Sequence, residues 1–549
     1  MRLSLPLLLL LPAAAAAAPA PQAAAKDDPL TDAVVMEMDR ALSGIALPGY
    51  PKPYFIGVNV YDINGNREIC SQGPSYFKDR YAERSATPDV RVGSYAFDNQ
   101  PLAPPDRYVF AGLDMNAGEG PLRHALWLTL DSAYKAAAAD YLHKEANNVL
   151  RGKAEYDTDD FTREAVVRST APAARPAWSD GALDRLCRAS AEPFSGAPWL
   201  LSGTSSVDLS RRLLRLFDTE GRRLALDRDV LEIKLSAVAL SSGGVRVEAL
   251  RRHVAVALAG LPSAAALRSE SQAIIADLEA LRVAETTSPF AAPAILDPDA
   301  AAAVVFAIES RMSGEAVRDP HGTQIFMGKL GRAVLDSAFS LTDDPGLAAF
   351  GGRSLAGHYE IDDQGIPAQP VRLIDHGVLK SFLLSRYPVL GFTHSNGHGR
   401  AAPGYLPVGR PGVAVFTSSR PLSGAALLDR LRRECVRRGK RYGLWVVQAR
   451  GLRQERHVEG HGSIRILPGK LYLVNAKTGA KTLVRGLDVV GPPWSLLSSI
   501  IAAGDDPRAA DFLDDGVPAS VVAPSLLFGE IELQRSRETP ERPPILPPP

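Results

Sequence analysis

The chain has 549 residues, of which 46% are hydrophobic and 23% are charged. It is therefore too long for a single hydrophobic core and too apolar to be disordered, and we expect two or three domains. Lys and Arg together number 62 and are balanced by 62 Asp and Glu. Because no net charge draws such a chain to a polyanion, we expect no nucleic-acid partner.

The first 25 residues have the three-part layout of a secretory signal. Arg2 supplies a positive charge, residues 3–11 form a mostly apolar run, and residues 13–25 are rich in Ala, with a cleavage site expected before Lys26. The apolar run is much shorter than the roughly 20 residues that span a bilayer. We predict export to the periplasm or the extracellular space, with no stable membrane anchor. The alternative is that this segment is a disordered Ala-rich tail.

The chain has three cysteines, Cys70, Cys187 and Cys435. They lie far apart and none belongs to a Cys-x-x-Cys pair, which excludes a zinc knuckle and a dithiol redox motif. An exported chain with three cysteines can form at most one intramolecular disulfide and keeps one thiol. Three buried, inert thiols are the alternative.

Hydrophobic periodicity predicts a small α+β region over residues 26–110, with a helix at 32–42 and a strand at 89–95. Strands at 55–61 and 67–70 are predicted to form a hairpin around an Asn-Gly-Asn turn at 64–66.

Residues 111–288 are predicted to form a central helical or mixed region. Its expected helices are 122–151, 210–217 and 264–281, and its expected strands are 231–235 and 245–247.

Residues 289–535 carry many strand patterns and are predicted to form a β-rich mixed domain. Its clearest strands are expected at 444–447, 463–466 and 470–474. The end of the chain, 536–549, is rich in Pro and is expected to be an extended tail. The fold class predicted for the whole chain is therefore α+β.

The most distinctive sequence lies between residues 361 and 400. It reads as an acidic turn, Ile-Asp-Asp-Gln-Gly-Ile-Pro-Ala-Gln, then a hairpin around Asp-His-Gly at 375–377, and a loop, Ser-Asn-Gly-His-Gly-Arg, at 395–400. This stretch resembles the TldD/PmbA family, whose C-terminal domain carries Ile-Asp-Asp-x-Gly-x-Pro-x-Gln before such a hairpin. The resemblance covers approximately residues 290–535 and implies a metallopeptidase-like fold there.

One branch of that family holds zinc with a helical His-Glu-x-x-x-His motif and a Cys near the C-terminus. In the helix that we predict from residue 297 to residue 314, the motif positions are Ile308, Glu309 and Ser313. Isoleucine has no lone pair, a serine hydroxyl is a poor zinc ligand, and residues 505–520 contain no Cys. We therefore expect no zinc or other cofactor. Glu309 is a degenerate catalytic position, predicted to be a structural or solvent-exposed carboxylate.

Two further groups of polar residues are candidate sites. His394, Asn396 and His398 lie in the Gly-rich loop and resemble family residues near the peptide-binding cleft, although loop histidines are commonly surface residues. A second group, His457, Glu459 and His461, alternates along the chain, so a strand would place all three on one face to share a metal ion. A polar hairpin rim is the alternative for this group. The sequence has no Gly-x-Ser-x-Gly elbow and no Walker loop.

Two functional hypotheses follow. In the first, the chain is a non-catalytic family member that binds a peptide or protein substrate. It would pair with a zinc-bearing TldD-like relative, or with itself, in a peptide-processing complex. In the second, it is an active metallopeptidase or other hydrolase with a zinc site rebuilt around His457, Glu459 and His461. The absence of the three family ligands favours the first hypothesis.

Overall fold

The computed structural model describes residues 28–100, 109–151, 158–168, 180–318, 325–389, 391–455 and 462–537. The predicted signal, 1–25, and residues 538–549 of the predicted tail lie outside these ranges. In the described ranges, no helix is both long enough and apolar enough to cross a membrane. The predicted α+β fold class is confirmed, with a β-rich C-terminal region.

The N-terminal half, up to residue 283, consists of a sheet with helices packed against it. Its helices are α1 (Pro29–Gly44), α2 (Glu119–Arg151), α3 (Asp180–Ala191) and α4 (Ala264–Val283), with short 3-10 turns at Glu192–Gly196 and Leu258–Gly260. Its strands are β1 (Pro53–Ser71), β2 (Ser75–Val92), β3 (Ala111–Leu113), β4 (Leu200–Asp218), β5 (Arg223–Asp227), β6 (Val230–Leu240) and β7 (Arg246–Ala255). The strands form one antiparallel sheet in the order β3-β2-β1-β4-β6-β7, with β5 beside β4.

Two predictions for this half are wrong. The predicted turn at 64–66 lies inside β1, which pairs with β2 on one side and β4 on the other. Gly65 is needed there because a Cβ atom would lie 1.9 Å from Cζ of Tyr81. The chain turns instead near Gln72 and Gly73, which have φ of 50° and 112°. The predicted helix 210–217 is part of β4, because pairing with β1 and β6 overrides local helix propensity.

The β1–β4 pairing also joins the predicted 26–110 and 111–288 regions in one sheet. The predicted helices 32–42, 122–151 and 264–281 are confirmed as α1, α2 and α4. Helices α1 and α2 cover one apolar cluster against β1 and β2, and α3 and α4 cover another against β4, β6 and β7.

A disulfide joins the end of β1 to α3. Cys70 and Cys187 are bonded, with their Cα atoms 5.7 Å apart, and both side chains are fully buried. Cys435 is free and buried, and burial raises the pKa of its thiol to about 11. The arrangement lies within the predicted limit of one disulfide and one remaining thiol, and the interpretation of all three cysteines as buried, inert thiols is wrong for Cys70 and Cys187.

The C-terminal half has four helices within its described residues: α5 (Pro298–Glu309), α6 (Gly314–Arg318), α7 (Gly424–Arg437) and α8 (Pro493–Ser498). Its strands are β8 (Glu285–Thr286), β9 (Ala291–Leu296), β10 (Phe339–Asp343), β11 (Ala349–Phe350), β12 (Arg353–Ser354), β13 (Val371–Asp375), β14 (Val378–Leu379), β15 (Gly399–Arg400), β16 (Val408–Gly409), β17 (Val413–Ser418), β18 (Tyr442–Glu455), β19 (Ser463–Asn475), β20 (Lys481–Arg485), β21 (Leu487–Gly491), β22 (Ile500–Ala503), β23 (Arg508–Asp514), β24 (Val517–Ala523) and β25 (Leu526–Arg535).

Two large sheets enclose α5. One has the order β14-β13-β10-β17-β24-β23, and the other has the order β18-β9-β25-β21-β19-β20-β8, with β22 beside β25. The second sheet closes on itself because β18 also pairs with β19. Helix α5 packs against β18 of the closed sheet and against β23 and β24 of the other. All its residues except Asp299 are buried, and its many Ala side chains allow close contact on every side.

The predicted helix over 297–314 begins as expected and ends early. Asp297 caps it, since a side-chain oxygen accepts a hydrogen bond from the Ala300 N–H at 3.0 Å. After Glu309 the backbone turns and bonds with Leu383 instead, whose N–H donates to Met312 and whose carbonyl accepts from Gly314, each at 2.8 Å. Ser313 therefore lies beyond the end of α5.

Candidate functional site

The acidic turn of the 361–400 stretch has a structural role, because its carboxylates bond to other segments of the protein. Asp362 accepts hydrogen bonds from the backbone N–H groups of Gln364, Ile366 and Gly399 at 2.8–2.9 Å. Burial raises the pKa of Asp362 to about 6, although these backbone donors oppose the shift. The Asp362 carboxylate therefore holds the turn against the Gly-rich loop by accepting the Gly399 N–H.

The neighbouring carboxylate connects the two halves of the molecule. Asp363 accepts from Arg228 of the N-terminal half at 2.7 Å and from Arg400 at 3.2 Å. Burial alone would raise the pKa of Asp363, but the two guanidinium groups hold it below its ordinary value. The Tyr61 hydroxyl adds a 3.1 Å bond across the same boundary to the Ala401 carbonyl.

The hairpin predicted after this turn is confirmed. Strands β13 and β14 pair, and the two turn residues, His376 and Gly377, have φ of 46° and 79°. A side chain at position 377 would also lie 2.4 Å from the Leu335 carbonyl oxygen, so Gly is required there.

The Gly-rich loop directs His398 into the protein interior. Its Nε2 lies 3.2 Å from the Asp343 carboxylate, and its Nδ1 lies 2.9 Å from the Asn396 side-chain oxygen. Both ring nitrogens therefore face oxygen atoms, and the side chains of His398 and Asp343 are both fully buried. The prediction that His398 could contact a substrate is wrong for this arrangement.

Asp343 is the centre of this cluster. Besides His398, it accepts from the backbone N–H groups of Gly412 at 2.8 Å and Val413 at 3.0 Å. Burial acts to raise the pKa of Asp343, but His398 and the hydrogen-bond donors outweigh it and lower the pKa. Asp343 is therefore the ionised member of the cluster.

Glu309, at the C-terminal end of α5, is the neutral member. Its side chain is fully buried, and its carboxyl group lies close to that of Asp343 but makes no hydrogen bond of good geometry with the described residues. Burial, together with the nearby Asp343 charge, raises the pKa of Glu309 well above its ordinary value. Glu309 was predicted to be a structural or a solvated carboxylate, and the solvated alternative is wrong, because two sheets enclose α5 and bury this side chain.

Comparison with known proteins identifies the C-terminal half. Residues 289–535 match the family model described as the PmbA/TldA metallopeptidase C-terminal domain. The C-terminal half of the chain is a domain of the TldD/PmbA family.

Curated TldD/PmbA relatives match shorter segments. A metalloprotease from Archaeoglobus fulgidus is 36% identical over 91 residues, which cover 16% of this chain and 20% of that protein. A metalloprotease TldD homolog from Buchnera aphidicola is 26% identical over 206 residues, covering 36% of each. The matched segments therefore span only a fifth to about a third of these two relatives.

Solved structures share the fold over nearly the whole chain. A putative modulator of a DNA gyrase from Thermotoga maritima has a TM-score of 0.60 and 15% identity, covering 92% of this chain and 99% of that one. TldE from Thermococcus kodakarensis has a TM-score of 0.59 and 13% identity, covering 92% and 100%. At these identities the likeness shows the fold alone.

The residues at the TldD/PmbA zinc positions do not fit a zinc ion. Ile308 is buried and offers no donor atom, and the Ser313 hydroxyl accepts a hydrogen bond from the Ala316 N–H at 3.1 Å, at the start of α6. Glu309 between them is neutral, and the 505–520 stretch contains no Cys. A borderline-soft ion such as Zn²⁺ needs imidazole, thiolate or carboxylate at such positions.

The other predicted metal ligands, His457, Glu459 and His461, lie outside the described residues. Within the described ranges, one group of His, Cys, Asp or Glu brings its ligand atoms within 4.8 Å of one another: Glu68, Cys70 and Cys187. Because the two sulfur atoms of that group are joined in the disulfide, they are not thiolate ligands.

The remaining loop residues lie on an open cleft of about 450 Å³ between β13 and the segment 391–396. His394 is 71% exposed there, with Glu164 3.5 Å away. Asn396 lines the same cleft, but its amide is engaged: its oxygen accepts from the Leu384 N–H at 2.8 Å and its nitrogen donates to the Phe382 carbonyl at 2.9 Å. The predicted trio is thus divided, with His394 and Asn396 at the cleft and His398 in the interior.

Asp343 is the residue that sequence reasoning missed. It ends β10 in the sequence Thr-Asp-Asp-Pro-Gly, which reads as the start of a turn. Its partner His398 follows 55 residues later. No local pattern indicates that contact, which depends on how β10 and the Gly-rich loop meet.

Proposed function

We propose that this chain is a non-catalytic member of the TldD/PmbA family. In this proposal it holds an extended peptide as part of a peptide-processing complex. Its partner in that complex is either a zinc-bearing TldD-like relative or a second copy of the same chain. The observation that carries the proposal is the state of Glu309. At the position where the family motif has its glutamate, the carboxyl is neutral and closed off from solvent. Such a group can neither bind a metal-activated water nor take its proton.

The open cleft beside β13 supports the peptide-binding part of the proposal. It combines an apolar side chain, Phe392, with polar groups from Arg372, His394 and Ser395. An extended peptide can be held in such a cleft by shape, apolar contact and hydrogen bonds, and that mode of binding requires no metal. A protein of this family that has lost catalysis could therefore still bind a peptide.

We also propose that the protein is exported to the periplasm or the extracellular space. The buried Cys70–Cys187 disulfide supports this, since such bonds form and persist in oxidising compartments. The signal layout of residues 1–25 agrees with it.

Replacing Glu309 with Gln tests the proposed state of this residue. Because the pKa is raised in the folded protein, the folded state keeps the proton after the unfolded chain has lost it. The wild-type free energy of unfolding should therefore fall by up to about 1.4 kcal/mol per pH unit as pH rises from about 4.3 towards the folded pKa. Glu309→Gln has no proton to lose, so its stability relative to wild type should increase over that range. Urea denaturation at a series of pH values measures this.

The matched control is Glu530→Gln, which changes an exposed glutamate paired with Arg438 at 3.4 Å. Its effect should stay within about 0.5 kcal/mol of zero. A difference between Glu309→Gln and wild type that does not change with pH would contradict a neutral Glu309. In a peptidase assay neither protein should cleave a general peptide substrate. Wild-type cleavage that disappears in Glu309→Gln would overturn the non-catalytic proposal.

A further inference from the structure

A cleft of about 190 Å³ lies on the boundary between the two halves. Strand β7 of the N-terminal sheet forms one wall, and β18, β19 and the β20–β21 connection form the others. Because a buried water needs only about 10–15 Å³, this cleft has room for a small molecule.

The walls are strongly basic. The arginines that line the cleft are Arg246, Arg450, Arg453, Arg465, Arg485 and Arg537. Two carboxylates oppose these six cations, Glu248 and Asp488, so four formal positive charges remain in excess. The chain as a whole has no net charge, which makes this local excess a property of the cleft. A concave, low-dielectric surface concentrates such a field and attracts anions.

Each of the two carboxylates already pairs with one of the arginines. Glu248 lies 3.4 Å from Arg450, and Asp488 lies 3.1 Å from Arg465 and also accepts from the Ser536 hydroxyl at 2.6 Å. Arg465 also donates to the Gln534 side chain at 3.1 Å, and Arg246, Arg485 and Arg537 have partners within the protein as well. The cleft is distinguished by its excess of arginine and by the placement of those side chains.

Two of the arginines are held directly opposite each other. Arg453 of β18 and Arg465 of β19 are cross-strand partners in an antiparallel pair, so their side chains project from the same face. Like charges in this position destabilise a sheet unless an anion lies between them. Arg465 is buried, whereas Arg453 is exposed and has no carboxylate partner among the residues that the structure describes.

A β-bulge adds a third arginine to this face. On a regular strand, Arg450 and Arg453 would point to opposite faces, because they are three residues apart. The register of β18 shifts between Ala449 and Gly451, so Arg450 is an extra residue, and both arginines line the cleft. Bulges commonly re-aim a side chain in this way beside functional sites.

We propose that this cleft binds a small polyvalent oxyanion, one that carries phosphate or carboxylate groups. The planar guanidinium fork matches both groups with paired hydrogen bonds. The bound anion would lie against Arg450 and Arg453, beside the Arg465–Asp488 pair, and offset the positive charge on this face. Because the ligand would contact β7 as well as the closed sheet, its binding would also tie the two halves together. This site is separate from the peptide cleft and does not depend on the proposed function.

Calorimetric titration of the full mature chain at low salt tests the proposal, with inorganic pyrophosphate and citrate as the two probes. At least one of them should bind with one-to-one stoichiometry and raise the midpoint of thermal unfolding. Arg450→Gln and Arg453→Gln should each weaken that binding by about tenfold or more, since each removes a charge-assisted hydrogen bond. The matched control is Arg430→Gln, an exposed arginine of α7, which should bind as the wild type does.

The two probes distinguish the sources of the anion: tighter binding of pyrophosphate assigns a phosphate ligand, and tighter binding of citrate assigns a carboxylate ligand. Failure of both probes to bind up to millimolar concentration would overturn the proposal. Binding that is unchanged in both arginine variants would also overturn it. Thermal unfolding of the ligand-free variants checks that they are folded.

Discussion

Removing the Cys70–Cys187 disulfide is expected to lower the free energy of unfolding by roughly 2–5 kcal/mol. The bond closes a loop with a sequence separation of 117 residues, so it strongly restricts the unfolded chain. Both half-cystines are fully buried where β1 meets α3, and that cluster would also lose packing. Denaturant unfolding of the Cys70→Ala/Cys187→Ala variant measures the effect, and wild type in reductant should show a similar loss.

The control is Cys435→Ala, which removes a buried sulfur and no cross-link. Its cost should be clearly smaller than that of the double variant. Thiol titration of the denatured, exported protein should find one free thiol per chain. Three free thiols in that preparation, or equal stabilities of the double variant and wild type, would contradict a structural disulfide.

Asp343→Ala is expected to destabilise the protein by about 3–5 kcal/mol, because it leaves several buried polar groups without their hydrogen-bond partner. The substitution would strip His398 of its carboxylate and leave the N–H groups of Gly412 and Val413 without their acceptor. Chemical denaturation near neutral pH measures the loss. Asp343→Asn keeps an acceptor oxygen and should cost less.

An exposed aspartate provides the comparison. Asp429 on α7 lies 3.4 Å from Arg432 and is mostly exposed, so Asp429→Ala should change stability by no more than about 1 kcal/mol. If Asp343→Ala costs no more than Asp429→Ala, the buried cluster at the centre of the candidate site does not exist as described.

Local patterns predicted the elements that depend on local chemistry. The hairpin at β13 and β14 followed from its turn residues, which adopt the positive φ angles that such turns require. The start of α5 followed from Asp297 and Pro298, an N-cap and a Pro in the first turn. The long helix α2 followed from its apolar periodicity.

Elements that depend on distant partners were not predictable in this way. The Asn-Gly-Asn sequence of β1 has strong turn propensity, yet pairing with β2 and β4 extends it through the middle of a sheet. The sequence of α5 does indicate that Glu309 is buried, but the prediction did not use this pattern. Helix α5 is apolar on all sides, and such helices are enclosed by the protein. The contact between Asp343 and His398 left no such pattern, since it joins the end of an inner strand, β10, to a loop 55 residues further along the chain.

The central claim is that the TldD/PmbA-type domain of this chain lacks the family zinc site. The most direct test is the zinc content of the purified mature protein, measured by elemental analysis after dialysis. Since Ile308 and Ser313 stand at the two histidine positions and Glu309 is neutral, we expect far less than one zinc per chain. One tightly bound zinc per chain would contradict this account. Loss of that zinc on replacing His457 and His461 with Ala would establish a rebuilt site instead.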